Sequence, residues 1–246
     1  MSKHNLTYRR ILLKYSGEVL CGTAPFGIDP KALNSVVDSV AHLRSLGVEI
    51  AIVLGGGNFF RGKNLLSSGF DQAKADQMGM CATVMNAIAL EESLRKNNVA
   101  ASIFSALPIT SMVKNYNILQ ARDAISNGEV VICAGGTGSP FFTTDSAAAL
   151  RAIELNANIV IKATKVDGIY SDDPIKNPQA KRYDYLSFDE VIQNKLAVMD
   201  NTAICLCQAN NMPIRVFNMN DAAALERIVL GEHIGTFVGE KNVSRD

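Results

Sequence analysis

The sequence has no surplus of either charge: 24 Lys+Arg balance 24 Asp+Glu, and the formal net charge is zero. No basic run stands out, so the electrostatic footprint of a nucleic-acid-binding chain is missing. No apolar run reaches the roughly 18 residues that cross a bilayer. The first ten residues, MSKHNLTYRR, are polar and lack the apolar segment of a secretory leader. Histidine is scarce. His4, His42 and His233 all lie away from the glycine clusters at 55–57 and 135–138, which gives no support to histidine-based catalysis. The five cysteines, Cys21, Cys81, Cys133, Cys205 and Cys207, form no CxxC pair. An odd number scattered through apolar surroundings reads as reduced, packed thiols of a cytoplasmic protein. Cys205 and Cys207 are two apart in a predicted helix and point to different faces, not to one metal. The common phosphate signatures are missing too. There is no GxxxxGK[ST], and Gly55-x-Gly57 and Gly136-x-Gly138 are followed by Phe60 and Phe141 where GxGxxG needs its last glycine. P-loop chemistry and dinucleotide binding of the usual kind are therefore disfavoured.

What is present is a chain of 246 residues, 48% hydrophobic, large enough for one sizeable core. Strand-like and helix-like runs alternate nearly throughout. RRILLKYS is a short strand. Asp29 and Pro30 then open a helix whose Leu33, Val36, Val37, Val40 and Leu43 recur at helical spacing, and Gly47 ends it. VEIAIVL is a continuous apolar run, as in a sheet covered on both faces. Residues 72–97 read as a long helix with Met78, Cys81, Met85, Ile88 and Leu94 toward one side. VAASIF, EVVICA, NIVIKAT, IRVFN and GTFV read as strands. NILQARDAIS, DSAAALRAIELNA, SFDEVIQN and DAAALERIVLG read as helices, with Ser187 and Glu190 spaced as a capping box. Residues 165–186 are the least regular and suggest a functional loop or a small hairpin. The alternation predicts right-handed βαβ crossovers and an α/β fold, a three-layer αβα sandwich with a mostly parallel central sheet.

In such sheets ligands bind beyond the carboxyl ends of the strands. Lys14, Ser16 and Gly17 follow the first strand, and GGGNFFRG, residues 55–62, follows the second. GGTGSPFFTTD, residues 135–145, follows EVVICA and leads straight into a helix. Lys162, Thr164 and Lys165 stand at the end of NIVIKAT. Glycines let backbone N–H groups close on an anion, a helix start adds positive potential, and lysines supply counter-charge. Two glycine clusters with two strand-end lysines read as a multi-phosphate site. Phosphoryl transfer suits it, because that chemistry needs positioning and charge neutralisation more than covalent help. Asp145 and Asp200 can orient a lysine or a Mg²⁺-bound water, or simply cap helices. Tyr170 can stack on a base or cover an apolar edge.

The stretches KYSGE (14–18), GGGNFFRG, GGTGSPFFTTD, KATKVDGIYSDDP (162–174) and MPIRVFNM (212–219) together resemble the bacterial UMP kinase family of the amino-acid-kinase superfamily, from about Tyr8 to about Thr236. The resemblance implies transfer of the ATP γ-phosphate to UMP, giving UDP and ADP, with Mg²⁺ carried by the nucleotide and no residue assigned as a direct metal ligand. It implies one domain over 1–246, with an acceptor lobe to about 150 and an ATP lobe beyond. Lys14, Lys162, Asp145 and Asp200 would be catalytic. Lys14, Tyr15, Ser16, Gly17, Gly57, Arg61, Thr164, Tyr170 and Asp173 would bind ATP. Gly56, Asp76 and the run Thr137, Gly138, Ser139, Pro140, Phe141, Phe142, Thr143 and Thr144 would bind UMP, Asp76 at the ribose.

The resemblance further implies a cytoplasmic homohexamer, inhibited by UTP and activated by GTP, without nucleic-acid or membrane partners. Four positions depart from the family pattern. Ser139 stands where Asn is common and Tyr15 where an aliphatic residue is usual. Glu91 and Ser102 stand where some GTP-activated members have arginines, which speaks against the GTP half. Two other functions compete. One is a sibling kinase acting on carbamate or an acylamino acid. The other is a non-catalytic nucleotide sensor.

Overall fold

A computed structural model describes residues 5–60, 69–174 and 176–240. The central strand, β1 (Arg10–Tyr15), is flanked by β2 (Glu49–Leu54) on one side and β6 (Ile159–Thr164) on the other, both parallel to it. Outward from β2 lie β5 (Val130–Ala134), β3 (Ala101–Ser105) and the two-residue β4 (Lys114–Asn115). Outward from β6 lie β10 (Ile214–Asn218), β11 (Thr236–Val238) and β9 (Tyr185–Leu186). Among the described residues, β10 and β11 form the one antiparallel pair of this nine-stranded sheet. A separate antiparallel hairpin joins β7 (Ile169–Tyr170) to β8 (Arg182–Tyr183), so residues 165–186 are the hairpin of the two options.

Both faces of the sheet are covered. Ile11, Leu13 and Tyr15 of β1 pack against α1 (Pro30–Ser45), α2 (Gln72–Lys96) and α7 (Ala224–Val229). Leu12 faces the other core, built by α3 (Ile118–Ser126), α4 (Thr144–Glu154), α5 (Phe188–Gln193) and α6 (Asn201–Ala209). This two-sided burial is why the strands read as unbroken apolar runs. The predicted caps form: Asp29 accepts from Ala32 N at 2.8 Å, and the Ser187–Glu190 capping box closes in both directions.

Three expectations need correction. Leu94 is buried, whereas Met78, Cys81 and Met85 of the same proposed stripe are exposed. Leu94 lies six residues past Ile88, about 240° further round the helix, and so belongs to the sheet-facing stripe with Val84, Ala87 and Leu90. Cys81 and Cys205 are exposed rather than packed, while Cys207 is buried, so the two-apart pair does face different ways. The last helix is shorter than DAAALERIVLG, because Asp221 closes a turn onto Ala223 N before it begins.

A buried amide pair ties the sheet end to α2. Asn58 Nδ2 donates to Asn86 Oδ1 at 2.8 Å and to Gly27 O at 3.0 Å. Asn86 Nδ2 donates to Gly55 O at 2.7 Å and Asn58 Oδ1 at 2.7 Å. Replacing Asn86 by Ala strips the Gly55 carbonyl and the Asn58 Oδ1 of the Asn86 amide donor in the interior. The expected loss is about 2 kcal/mol, seen as a lower urea midpoint at unchanged slope.

Candidate active site

The chain order places β1 at the switch of the sheet: β2 and β5 are added on one side, β6 and β10 on the other. A crevice forms outside the strand ends at such a point. Lys14 and Lys162 are register partners on adjacent strands, so their side chains leave the same face of the sheet. Lys14 is 9% exposed.

Asp145 meets both lysines. Lys162 Nζ donates to Asp145 Oδ2 at 2.8 Å and to the Val198 carbonyl at 2.5 Å. Lys14 Nζ lies 2.8 Å from Asp145 Oδ1, as an ion pair rather than a well-aligned hydrogen bond. Burial alone would raise the Asp145 carboxyl, but Lys14 and Lys162 outweigh it and hold it below the ordinary aspartate value. Burial lowers the Lys162 ammonium. Asp145 pulls it back up, Lys14 pushes it down again, and the net value is below that of an ordinary lysine. The site thus holds two poorly hydrated cations against one carboxylate, an arrangement short of negative charge by one unit before the nearby Asp200 is counted.

Of the two parts open to Asp200, the structure shows the helix cap. It caps α6 through Ala203 N at 2.9 Å and accepts the hydroxyls of Ser146, at 2.9 Å, and Thr143. It touches neither lysine directly and acts on Lys162 only as a nearby charge. The N-cap of α4 is Thr143, which accepts from Asp145 N at 3.0 Å. Asp145 therefore sits in the first turn and is not the cap.

The glycine clusters work in two ways. A Cβ on Gly17 would lie 2.5 Å from Gly55 O and 2.5 Å from Asn58 Oδ1, so the turns after β1 and β2 interlock only without a side chain. In the second cluster the need is conformational: Gly138 has φ +86°, and Gly135 and Gly136 are also left-handed. The two clusters meet at Thr144, whose Oγ1 lies beside Gly55.

The loop 135–144 leans on α2. Gly135 N donates to Thr83 Oγ1 at 2.8 Å, and Phe141 N donates to Asp76 Oδ2 at 2.8 Å. Thr137 and Ser139 bond to each other within the loop, and Phe141, 71% exposed, and Phe142 face solvent. Asp76 and the run Thr137–Thr144 are thus brought together through the Phe141 bond.

The remaining assigned residues are placed as follows. The Tyr15 side chain is in the core on the opposite face from Lys14, so its only route to a nucleotide is through its backbone. Ser16 caps a 3₁₀ turn that begins at Gly17. Thr164 Oγ1, at the end of β6, donates to Val166 O at 2.6 Å. Tyr170 OH donates to Asp167 Oδ1 at 2.6 Å, and Asp173 lies 3.5 Å from Lys176; both contacts stay local to the hairpin region. Arg61 lies outside the described residues. Sequence reasoning missed Thr83, Asn58, Asn86, Ser146 and the Val198 carbonyl. The available signal was a polar residue on a buried helix stripe, as at Thr83 and Asn86.

The geometry has close relatives among known proteins. The amino acid kinase family model matches residues 9–218. A uridylate kinase of Legionella pneumophila (strain Lens) is 56% identical over 97% of this chain and 96% of its own length. One from Alcanivorax borkumensis is 53% identical over 94% and 92%. Among solved structures, the UMP kinase of Bacillus anthracis superposes with a TM-score of 0.93 at 35% identity, covering 95% of this chain and 97% of that one. The UMP kinase of Ureaplasma parvum gives 0.89 at 35% identity, over 94% and 99%. The chain belongs to the amino acid kinase family and, within it, to the uridylate kinases.

Proposed function

We propose that the chain transfers the γ-phosphoryl group of ATP to UMP, giving UDP and ADP. The observation that carries this reading is the Lys14–Asp145–Lys162 cluster at the sheet switch. Lys14 and Lys162 flank the transferring group and neutralise charge on its oxygens as the transition state spreads it. Asp145 keeps both ammoniums aimed and charged until phosphate oxygens take over as their partners. The acceptor is a phosphate oxygen, ionised near neutral pH without help, so the reaction needs no general base.

Ser16, Gly17, Gly57, Arg61, Thr164, Tyr170 and Asp173 are assigned to ATP, with Tyr15 reduced to its backbone. Gly56, Asp76 and Thr137–Thr144 are assigned to UMP. Asp200 is assigned a positioning role through Thr143 and Ser146. The acceptor portion, to about residue 150, and the ATP portion beyond it share one continuous sheet. Magnesium supplies charge neutralisation to the phosphates when it is bound with ATP. An ion carried mainly by phosphate and water needs no cluster of protein carboxylates.

A homohexamer and inhibition by UTP belong to the same reading. Its support on the surface is the apolar stripe Met78, Cys81 and Met85 on α2. GTP activation is less well supported, since Ser102 is engaged with Lys114 at 3.0 Å and with Glu129. A cytoplasmic location suits both substrates, and no helix among the described residues is long and apolar enough to cross a membrane.

A coupled ADP-release assay with Mg-ATP against UMP, CMP, dUMP and AMP tests the reading. Turnover selective for UMP is expected. Turnover with carbamate or an acylamino acid but not UMP would favour a sibling kinase, and UMP binding without turnover a sensor. Asp76→Asn is expected to raise the KM for UMP about tenfold with little change in kcat, because it weakens ground-state and transition-state binding alike.

A further inference from the structure

We infer that Arg151 is a positioning residue that holds the acceptor loop from beneath. It lies on α4, six residues and nearly two turns past Asp145, and is only 4% exposed. Its guanidinium makes three different contacts. Nη1 donates to Glu154 Oε2 at 2.6 Å, Nη2 donates to the Gly136 carbonyl at 3.3 Å, and the plane stacks on the Tyr116 ring at 3.8 Å. Tyr116 OH closes the ring of contacts by donating to the same Glu154 Oε2 at 2.7 Å. A buried guanidinium is a costly group to keep unless its fork of donors is used. Here Nη1 meets a counter-charge and Nη2 a loop carbonyl, while Nε is buried without a hydrogen-bond partner among the described residues.

The loop needs such an anchor. Gly135 is pinned by Thr83 and Phe141 by Asp76, but both bonds reach to α2, on one side only. On the other side Gly135 and Gly138 lie close against Ser105, Ala106 and Leu107, but Thr137 between them lines an open cavity of about 320 Å³ shared with Tyr116, Asn115 and Arg151. Gly136, left-handed at φ +60°, has no side chain with which to hold its own position. The Arg151–Gly136 bond adds a second tie between α4 and the loop, besides the chain's own passage through Thr143 into that helix, and it fixes the glycine end of the loop to the helix that carries Asp145. Through it the acceptor site and the two lysines keep a common frame. This role in UMP binding rests on the assignment of residues 137–144 to UMP.

Three variants and three readouts, KM, Tm and amide exchange, test it. Arg151→Lys keeps the charge for Glu154 but cannot fork to Gly136. It is expected to keep a near wild-type Tm while raising the KM for UMP about tenfold, with the KM for ATP within twofold. Arg151→Met should raise the UMP KM at least as much and lower Tm as well. Tyr116→Phe removes the bond to Glu154 without touching the loop, and should lower Tm while leaving the UMP KM within twofold. Amide exchange of residues 136–142 in the nucleotide-free enzyme is expected to accelerate at least tenfold in Arg151→Lys and not in Tyr116→Phe. Unchanged exchange there in Arg151→Lys overturns the inference, whatever the kinetics. So does equal loosening in both variants, which would make the cluster structural only. Faster exchange with an unaltered UMP KM would keep the positioning role and refute the assignment of the loop to UMP.

Discussion

Replacing Lys162 by alanine is expected to lower kcat about 10³-fold and to change the KM for UMP less than about threefold. The reason is where its charge is needed. The free enzyme already holds Lys162 against Asp145 and the Val198 carbonyl, so substrate binding gains little from it. Negative charge spreads over the transferring group only in the transition state, and a second cation fixed beside Lys14 meets it without reorganisation. The loss should therefore fall on the chemical step, read by single-turnover quench against steady-state kcat. An unaltered kcat would remove Lys162 from the mechanism. The pH profile gives a second reading. Because burial lowers the Lys162 ammonium below the ordinary lysine value, kcat/KM should begin to decline on the alkaline side before an ordinary lysine would titrate.

Replacing Asp145 by asparagine should destabilise the free enzyme by about 3 kcal/mol, the lower end for breaking a buried pair. The variant keeps the shape of the site but leaves two ammonium groups, with side chains 11% and 16% exposed, facing each other. Adding ADP should narrow the Tm gap to wild type, since phosphate oxygens supply the missing counter-charge. The acid limb follows from the sign of the shift. The folded Asp145 value is depressed, so its stabilisation is full above the ordinary aspartate value and is lost as pH falls through the folded one. Wild type should show that loss in urea midpoints measured across the acid range, and Asp145→Asn should lack it. A variant as stable as wild type at pH 7, with the same acid dependence, would show that the carboxylate does not neutralise the pair.

The amino-acid sequence by itself determines much of this. Apolar runs of strand length alternating with helical spacing specify a parallel sheet covered on both faces, and the polar residues at four strand ends single out the sheet edge proposed as the ligand site. The caps at Asp29 and Ser187 are local chemistry, set by residues within one helical turn of each other, and both form as their spacing predicts. Other features are decided only by packing. β1 is apolar on both faces, so the run RRILLKYS conceals which parity looks toward which helices; the fold puts Tyr15 in one core and Lys14 under the start of α4. Asp145 and Asp200 both open helices in the sequence and look equivalent there. Thr143 takes the cap of α4 and turns Asp145 into the first turn toward the lysines, while Asp200 becomes the cap of α6 and a brace for Thr143 and Ser146. Lys14 and Lys162 become neighbours because β6 is added beside β1 rather than beyond β5, and strand order is a long-range choice that no local pattern in the sequence encodes.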